Sequence, residues 1–222
     1  MGWQDALFAE KSLLQVYCKA RRVASSRFNV AVAIGVFIVL AVAMAIQEYA
    51  GNAPINYESA IITTRKIADL GFSYCTSILG FLITGFAIFA SITKPEIFVL
   101  LAKLDHDKAK ISRLHFIFFS FLFVFIHYIA FLLTCLFIIL ALGPSGPFAD
   151  TLRRLASWQP RLIQYGGGAL VAIGSAWFVF LVMLLKSFIW NIYQAILLTI
   201  ATASLPQNEI EALIKATENK PK

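Results

Sequence analysis

Four long apolar runs alternate with short polar segments along the chain, and their lengths set the expected architecture. Phe28 to Gln47 is 20 residues, interrupted only by Asn29 near its basic end and by the closing Gln47. Leu70 to Thr93 is 24 residues without a charge. Leu114 to Leu142 is 29 residues without a formal charge, with eight phenylalanines between Phe116 and Phe137. At 1.5 Å rise per residue, each run is long enough for a hydrocarbon core of about 30 Å. The fourth run begins near Leu162 and continues to Ser204 with one charge, Lys186. One helix of that length is roughly twice the core thickness, so the pattern is divided at Lys186 into a span and an inner extension or interfacial helix. The expected fold is all-α: four transmembrane helices with extra amphipathic or interfacial cytosolic helices. Residues 1–222 form one membrane domain, with an arm 1–27, spans about 28–47, 70–93, 114–142 and 162–185, an inner loop 94–113 and a helical tail 187–222.

The stretch from Leu70 to Arg113 organises the rest. Ser73, Ser77, Gly80, Thr84, Ala87 and Ser91 recur at spacings of 4, 3, 4, 3 and 4, a stripe of small and mildly polar residues opposite Leu79, Ile83, Phe86 and Phe89. Such a stripe suits a close helix contact or the wall of a pore. The span ends in Thr93-Lys94-Pro95-Glu96, which matches the S/T-x-x-E capping box with a proline in the first turn, so a second helix is expected to start there. A helix that stops and recommences at the inner surface is a hinge, here built on Thr93, Pro95 and Glu96. The basic residues Lys103, Lys108, Lys110 and Arg113 beside it are expected to meet anionic lipid headgroups.

Connections are shorter on information. Glu48 to Asp69 reads as a polar outer connection, with Gly51, Asn52 and Pro54 as turn residues and Arg65-Lys66 before the second span. Gly143-Pro144-Ser145-Gly146-Pro147 stops the third span, and the segment with Arg153, Arg154, Trp158 and Pro160 reads as an interfacial turn. Two small-xxx-small contacts are expected, Ala31 with Gly35, and Gly168 with Ala172 and Ala176. Gly2 to Arg22 lacks a cleavable-signal layout and reads as an amphipathic helix on the membrane or a cytosolic arm. Glu209 to Thr217 reads as a short amphipathic tail.

Composition agrees with a membrane class: 59 % of the 222 residues are hydrophobic and 14 % charged. A net charge of +7 would suit nucleic acid, but the basic residues sit at span ends, so no direct nucleic-acid binding is expected. With four spans and the N-terminus inside, the inner segments hold 14 of the 19 Lys and Arg and the outer loops hold five. The positive-inside rule then places both termini in the cytoplasm, as in a multi-pass protein of a bacterial inner membrane. Cys18, Cys75 and Cys135 have no paired or metal-type spacing and read as small apolar residues.

Chemistry-bearing motifs are absent. There is no H-E-x-x-H, G-x-S-x-G, P-loop or C-x-x-C, and Gly166-Gly167-Gly168 precedes a span rather than a helix of a βαβ unit. Asp105-His106-Asp107 reads as a solvated turn, since adjacent residues cannot all point at one metal. The chain is therefore expected to have no catalytic residue, metal or cofactor and not to be an enzyme. One intramembrane titratable group stands out, His127, with Ser120 and Thr134 at seven-residue intervals and Arg113 seven further back. It either lines an aqueous path or is hydrogen-bonded to a neighbouring helix through a group such as Thr84 or Tyr74.

In layout, four spans with cytosolic termini and a basic inner hinge, the whole chain resembles small bacterial membrane proteins that work beside a soluble partner, including the membrane subunits of the Kiwa anti-phage defence system. The resemblance covers no diagnostic motif, so no functional residue is carried over. It implies a homo-oligomer in the inner membrane that detects infection and engages a cytosolic effector. Two functions follow as expectations. One is a homo-oligomeric sensor or scaffold whose partners are the bilayer, further copies of itself and a soluble cytosolic protein. The other is a small ion channel or pore-forming protein.

Overall fold

The computed structural model describes residues 12–24, 26–50, 57–106, 111–143, 146, 148–203, 206, 208–209 and 212. Among them the chain is helical almost throughout: α1 (Leu13–Ala24), α2 (Arg27–Tyr49), α3 (Tyr57–Ile92), α4 (Pro95–Lys103), α5 (Arg113–Ala141), α6 (Ala149–Trp158) and α7 (Pro160–Ala203). Between α4 and α5 lies one antiparallel ladder, β1 (Asp105–His106) on β2 (Ile111–Ser112), pairing Asp105 with Ser112 and His106 with Ile111. Four helices, α2, α3, α5 and α7, are long and apolar enough to cross a membrane.

Three boundaries differ from the sequence expectation, each for a reason visible in the residues. The connection before the second span is helical from Tyr57 onward, so α3 has 36 residues. Ala60, Thr64 and Ala68 lie on the same buried face as Gly71 and Cys75, and Tyr57 to Leu70 contains no glycine or proline to stop the helix. The charges of Arg65, Lys66 and Asp69 alter the surface of that helix without ending it. In the same way α7 runs unbroken for 44 residues through Lys186, so the part beyond it is the extension and not a separate helix. Lysine is a good helix former, and a charge changes which solvent a turn prefers, not its backbone. The expected interfacial turn after the third span is a ten-residue helix, α6. The turn before α6 does hold the breaker: a Cβ on Gly146 would run into the Ala141 carbonyl oxygen, so the backbone approach there suits glycine.

The break at Thr93-Lys94-Pro95 is present, but the capping box is not. Thr93 Oγ1 donates back to the Phe89 carbonyl at 2.7 Å and so closes α3. Lys94 is the N-cap of α4, with φ −63° and ψ 145° and no side-chain cap. Proline forces the residue before it into extended backbone, which breaks the helix at Lys94 whatever Thr93 does. Pro95 at the first helical position lacks an N–H at a place where a helix start leaves that donor unpaired in any case.

The chain divides into two compact units. One comprises 1–26, 81–126 and 185–222, the other 27–80 and 127–184. In the first, α4 buries Ile97, Leu101 and Ala102 with Leu114, and Phe98, Ile117 and Phe118 pack against them. The backbone N–H of Arg113 donates to the Leu104 carbonyl at 2.9 Å, which ties the start of α5 to the end of α4. Phe121 stands within 4.4 Å of Phe86 and 5.8 Å of Phe188 by ring centroids, and Phe123 within 5.8 Å of Tyr17. In the second unit Phe131 packs on Trp177 and Phe178, at 5.2 and 6.1 Å. There the helices approach through small residues. A Cβ on Gly71 would lie 2.6 Å from Phe131, one on Gly167 2.7 Å from Ala60, and one on Gly168 2.8 Å from the Met44 sulfur.

Candidate functional site

Helix α3 carries two small-residue faces. The face the chain uses is Ala60, Thr64, Ala68, Gly71 and Cys75, continued by Leu82 and Phe89, all buried. The other is the stripe singled out from the sequence. Ser73, Ser77, Gly80, Thr84, Ala87 and Ser91 are all exposed, and a Cβ on Gly80 would meet nothing within 4 Å. Ser77 and Ser91 turn their hydroxyls onto carbonyls of their own helix, Ser73 and Ile88, at 3.0 and 3.1 Å. The stripe is thus left open, and at Gly80 no neighbouring group stands where a side chain would reach. Two residues apart on a helix is about 200°, so the faces of Gly71 and Ser73 point in nearly opposite directions. Small size with a 3–4 rhythm marks both, and it cannot tell which one is covered.

The heptad of His127 is occupied from within. Ser120 is 2 % exposed and accepts a hydrogen bond from the Asn191 amide at 3.5 Å. His127 is half-buried, edge-on to Phe180 with centroids 5.6 Å apart. Thr134 donates to the Ala130 carbonyl at 2.8 Å. Of the residues named as partners for His127, Thr84 is exposed and the Tyr74 hydroxyl lies 3.5 Å from that of Tyr128. Tyr128, wholly buried, donates its one proton to the Leu181 carbonyl at 3.0 Å, so Tyr74 is the donor to Tyr128. This Tyr74–Tyr128–Leu181 chain joins α3, α5 and α7 within the second unit. Sequence reading had Tyr74 as a crosslinking group, but Tyr128 did not stand out, because a tyrosine in an apolar run looks like bulk.

At the break, Thr93 is buried while Pro95 and Glu96 are exposed. Lys103 is half-buried. Arg113 is half-buried with its Nε buried and unbonded. Ser112 accepts from the His115 backbone N–H at 3.3 Å, capping α5, and lies 2.8 Å from His115 Nδ1. Lys108 and Lys110 fall outside the described residues, as do residues 1–11 of the N-terminal arm and most of the tail from Glu209 to Thr217.

A second bare surface was not anticipated. The later half of α7 exposes Val182, Lys186, Ile189, Trp190, Tyr193, Ile196, Leu197 and Ile200, while Leu184, Phe188 and Ala195 are buried. Trp190 and Tyr193 lie 5.8 Å apart on the exposed side. The signal was present as a 3–4 spacing from Val182 to Ile200, hidden because nearly every residue of that run is apolar. No protein-family model matches the chain, and no curated protein or solved structure does.

Proposed function

We propose that the chain is a homo-oligomeric, multi-pass subunit of a bacterial inner membrane, with both termini cytoplasmic, that couples a membrane event to a soluble cytosolic partner. The observation that carries this reading is the length of α7. At 44 residues it measures about 66 Å, against about 30 Å of hydrocarbon, so about half of it stands outside the apolar core. The half beyond Lys186 keeps large apolar side chains on its exposed face, a surface that hydration disfavours and another protein would cover. The 14 to 5 distribution of Lys and Arg supports placing that end inside. In the same compact unit α4, restarted at Pro95 and seated on Leu114, is a short helix joined to α3 by extended backbone. A membrane event that moved α3 would move α4. The layout shared with the Kiwa membrane subunits makes phage infection the first stimulus to test.

The channel reading draws on the exposed stripe of α3, which lines a path only where copies meet. Reconstitution separates the two. The purified chain in liposomes is expected to pass no ions, and a soluble protein recovered with it from native membranes is expected to rebind it when both are pure. Ion flux from the chain alone, without such rebinding, overturns the scaffold reading in favour of the channel.

A further inference from the structure

The exposed face of α7 has the rhythm of a helix seam. Val182, Lys186, Ile189, Tyr193, Ile196 and Ile200 recur at spacings of 4, 3, 4, 3 and 4, and all six are exposed, the apolar ones by 41 to 62 %. That is the alternation of a and d positions by which one helix meets another along a coiled coil. Upstream in the same register lie Gly168 and Ala172, and there the chain covers the stripe itself. A Cβ on Gly168 would touch the Met44 sulfur of α2, and Ala172 is 1 % exposed. One stripe thus packs a helix where the chain supplies one and continues in phase where it supplies none.

We propose that this seam joins copies of the chain, the α7 helices of neighbouring subunits forming a parallel coiled coil from Val182 to Ile200. The proposal rests on the homo-oligomeric reading above and specifies where the copies meet. Membrane insertion holds every copy at one depth and in one direction, so the seam meets itself in parallel and in register, each a position facing its equivalent. Area agrees. Large apolar side chains offer on the order of 150–250 Å² each, so half-exposed seam residues with the flanking Trp190 and Leu197 present about 700 Å² per copy. A pair buries about 1,400 Å², within the range of stable interfaces. The off-seam surface argues against plain lipid contact, because Gln194 is exposed beside it, which hydrocarbon disfavours. Lys186 occupies an a position, the place where a single polar residue sets register at some cost in stability, and its four-carbon stem lets the ammonium reach out of the seam.

The test is disulfide trapping in native membranes, using the full chain with Cys18, Cys75 and Cys135 replaced by alanine. Single cysteines are placed by Ile196→Cys and Ile200→Cys on the seam, Gln194→Cys off it and Gly80→Cys on α3. Seam cysteines are expected to give at least about tenfold more crosslinked dimer than Gln194→Cys, because a and d side chains face their counterparts while b side chains point away. In nanodiscs, Ile196→Glu with Ile200→Glu is expected to reduce the assembly to single chains by native mass spectrometry at unchanged helix content. Equal crosslinking at Gln194 and Ile196 overturns the seam. Crosslinks at Gly80→Cys alone overturn it while leaving the homo-oligomer standing on α3. No crosslink anywhere, with single-chain particles from the unmutated protein, overturns the homo-oligomer as well.

Discussion

At the scale of single residues, two glycines of α3 separate packing from exposure. A side chain at Gly71 meets Phe131 at 2.6 Å and the Cys135 sulfur at 3.0 Å, whereas one at Gly80 meets nothing. Overpacking a close helix contact costs about 1–3 kcal/mol, or roughly 5 °C of melting temperature in a chain of this size, so Gly71→Val is expected to melt several degrees below the parent in detergent. Gly80→Leu should melt within a degree or two of it. A destabilised Gly80→Leu in monomeric particles would mean that the stripe packs within the chain after all. Both glycines were legible as small residues in a helical run; which of them another helix touches was not.

Among the elements, α4 tests whether the break after α3 is held by proline or by packing. Replacing proline by alanine in a helix interior gains about 3 kcal/mol, which favours running α3 through into α4. Doing so would pull Ile97, Leu100 and Leu101, each at most 2 % exposed, out of their cluster, at about 1.5–3 kcal/mol apiece. Packing wins on these magnitudes. Pro95→Ala alone should therefore leave a cysteine at Ile97 slow to react with a water-soluble maleimide, and Pro95→Ala with Leu101→Ala should expose it. Rapid labelling in the single variant would show that Pro95 holds the break. The place of the break was readable because Pro95 acts locally on Lys94. The capping box was misread because Thr93 had two acceptable partners, and its hydroxyl took the carbonyl of the helix behind it. At Lys186 the sequence left an extension and a separate interfacial helix open; α7 continues as an extension, because a boundary of solvent is not a boundary of backbone.

For the whole molecule, the distribution of charge makes sidedness the decisive prediction. Ser157 and Glu96 are both exposed, one on α6 between the last two apolar helices, the other on α4. A membrane-impermeant maleimide on intact cells should reach Ser157→Cys and should reach Glu96→Cys only after permeabilisation; the reverse would invert the topology and move the α7 seam outside. By itself the sequence determined the number of long apolar helices, the break at Lys94-Pro95 and the stop after Leu142. Each is signalled by composition over a window or by a proline or glycine acting on its neighbours, so no distant contact is needed to read it, even where packing also holds it. Only the tertiary structure decided that Gly71 rather than Gly80 is covered, that Ser120 meets Asn191, that Tyr128 reaches Leu181, and that one face of α7 is exposed from Val182 to Ile200. In a chain where most residues of every span are apolar, hydrophobicity does not distinguish a face packed on a neighbour from one left open, and side-chain volume against a particular opposing helix does.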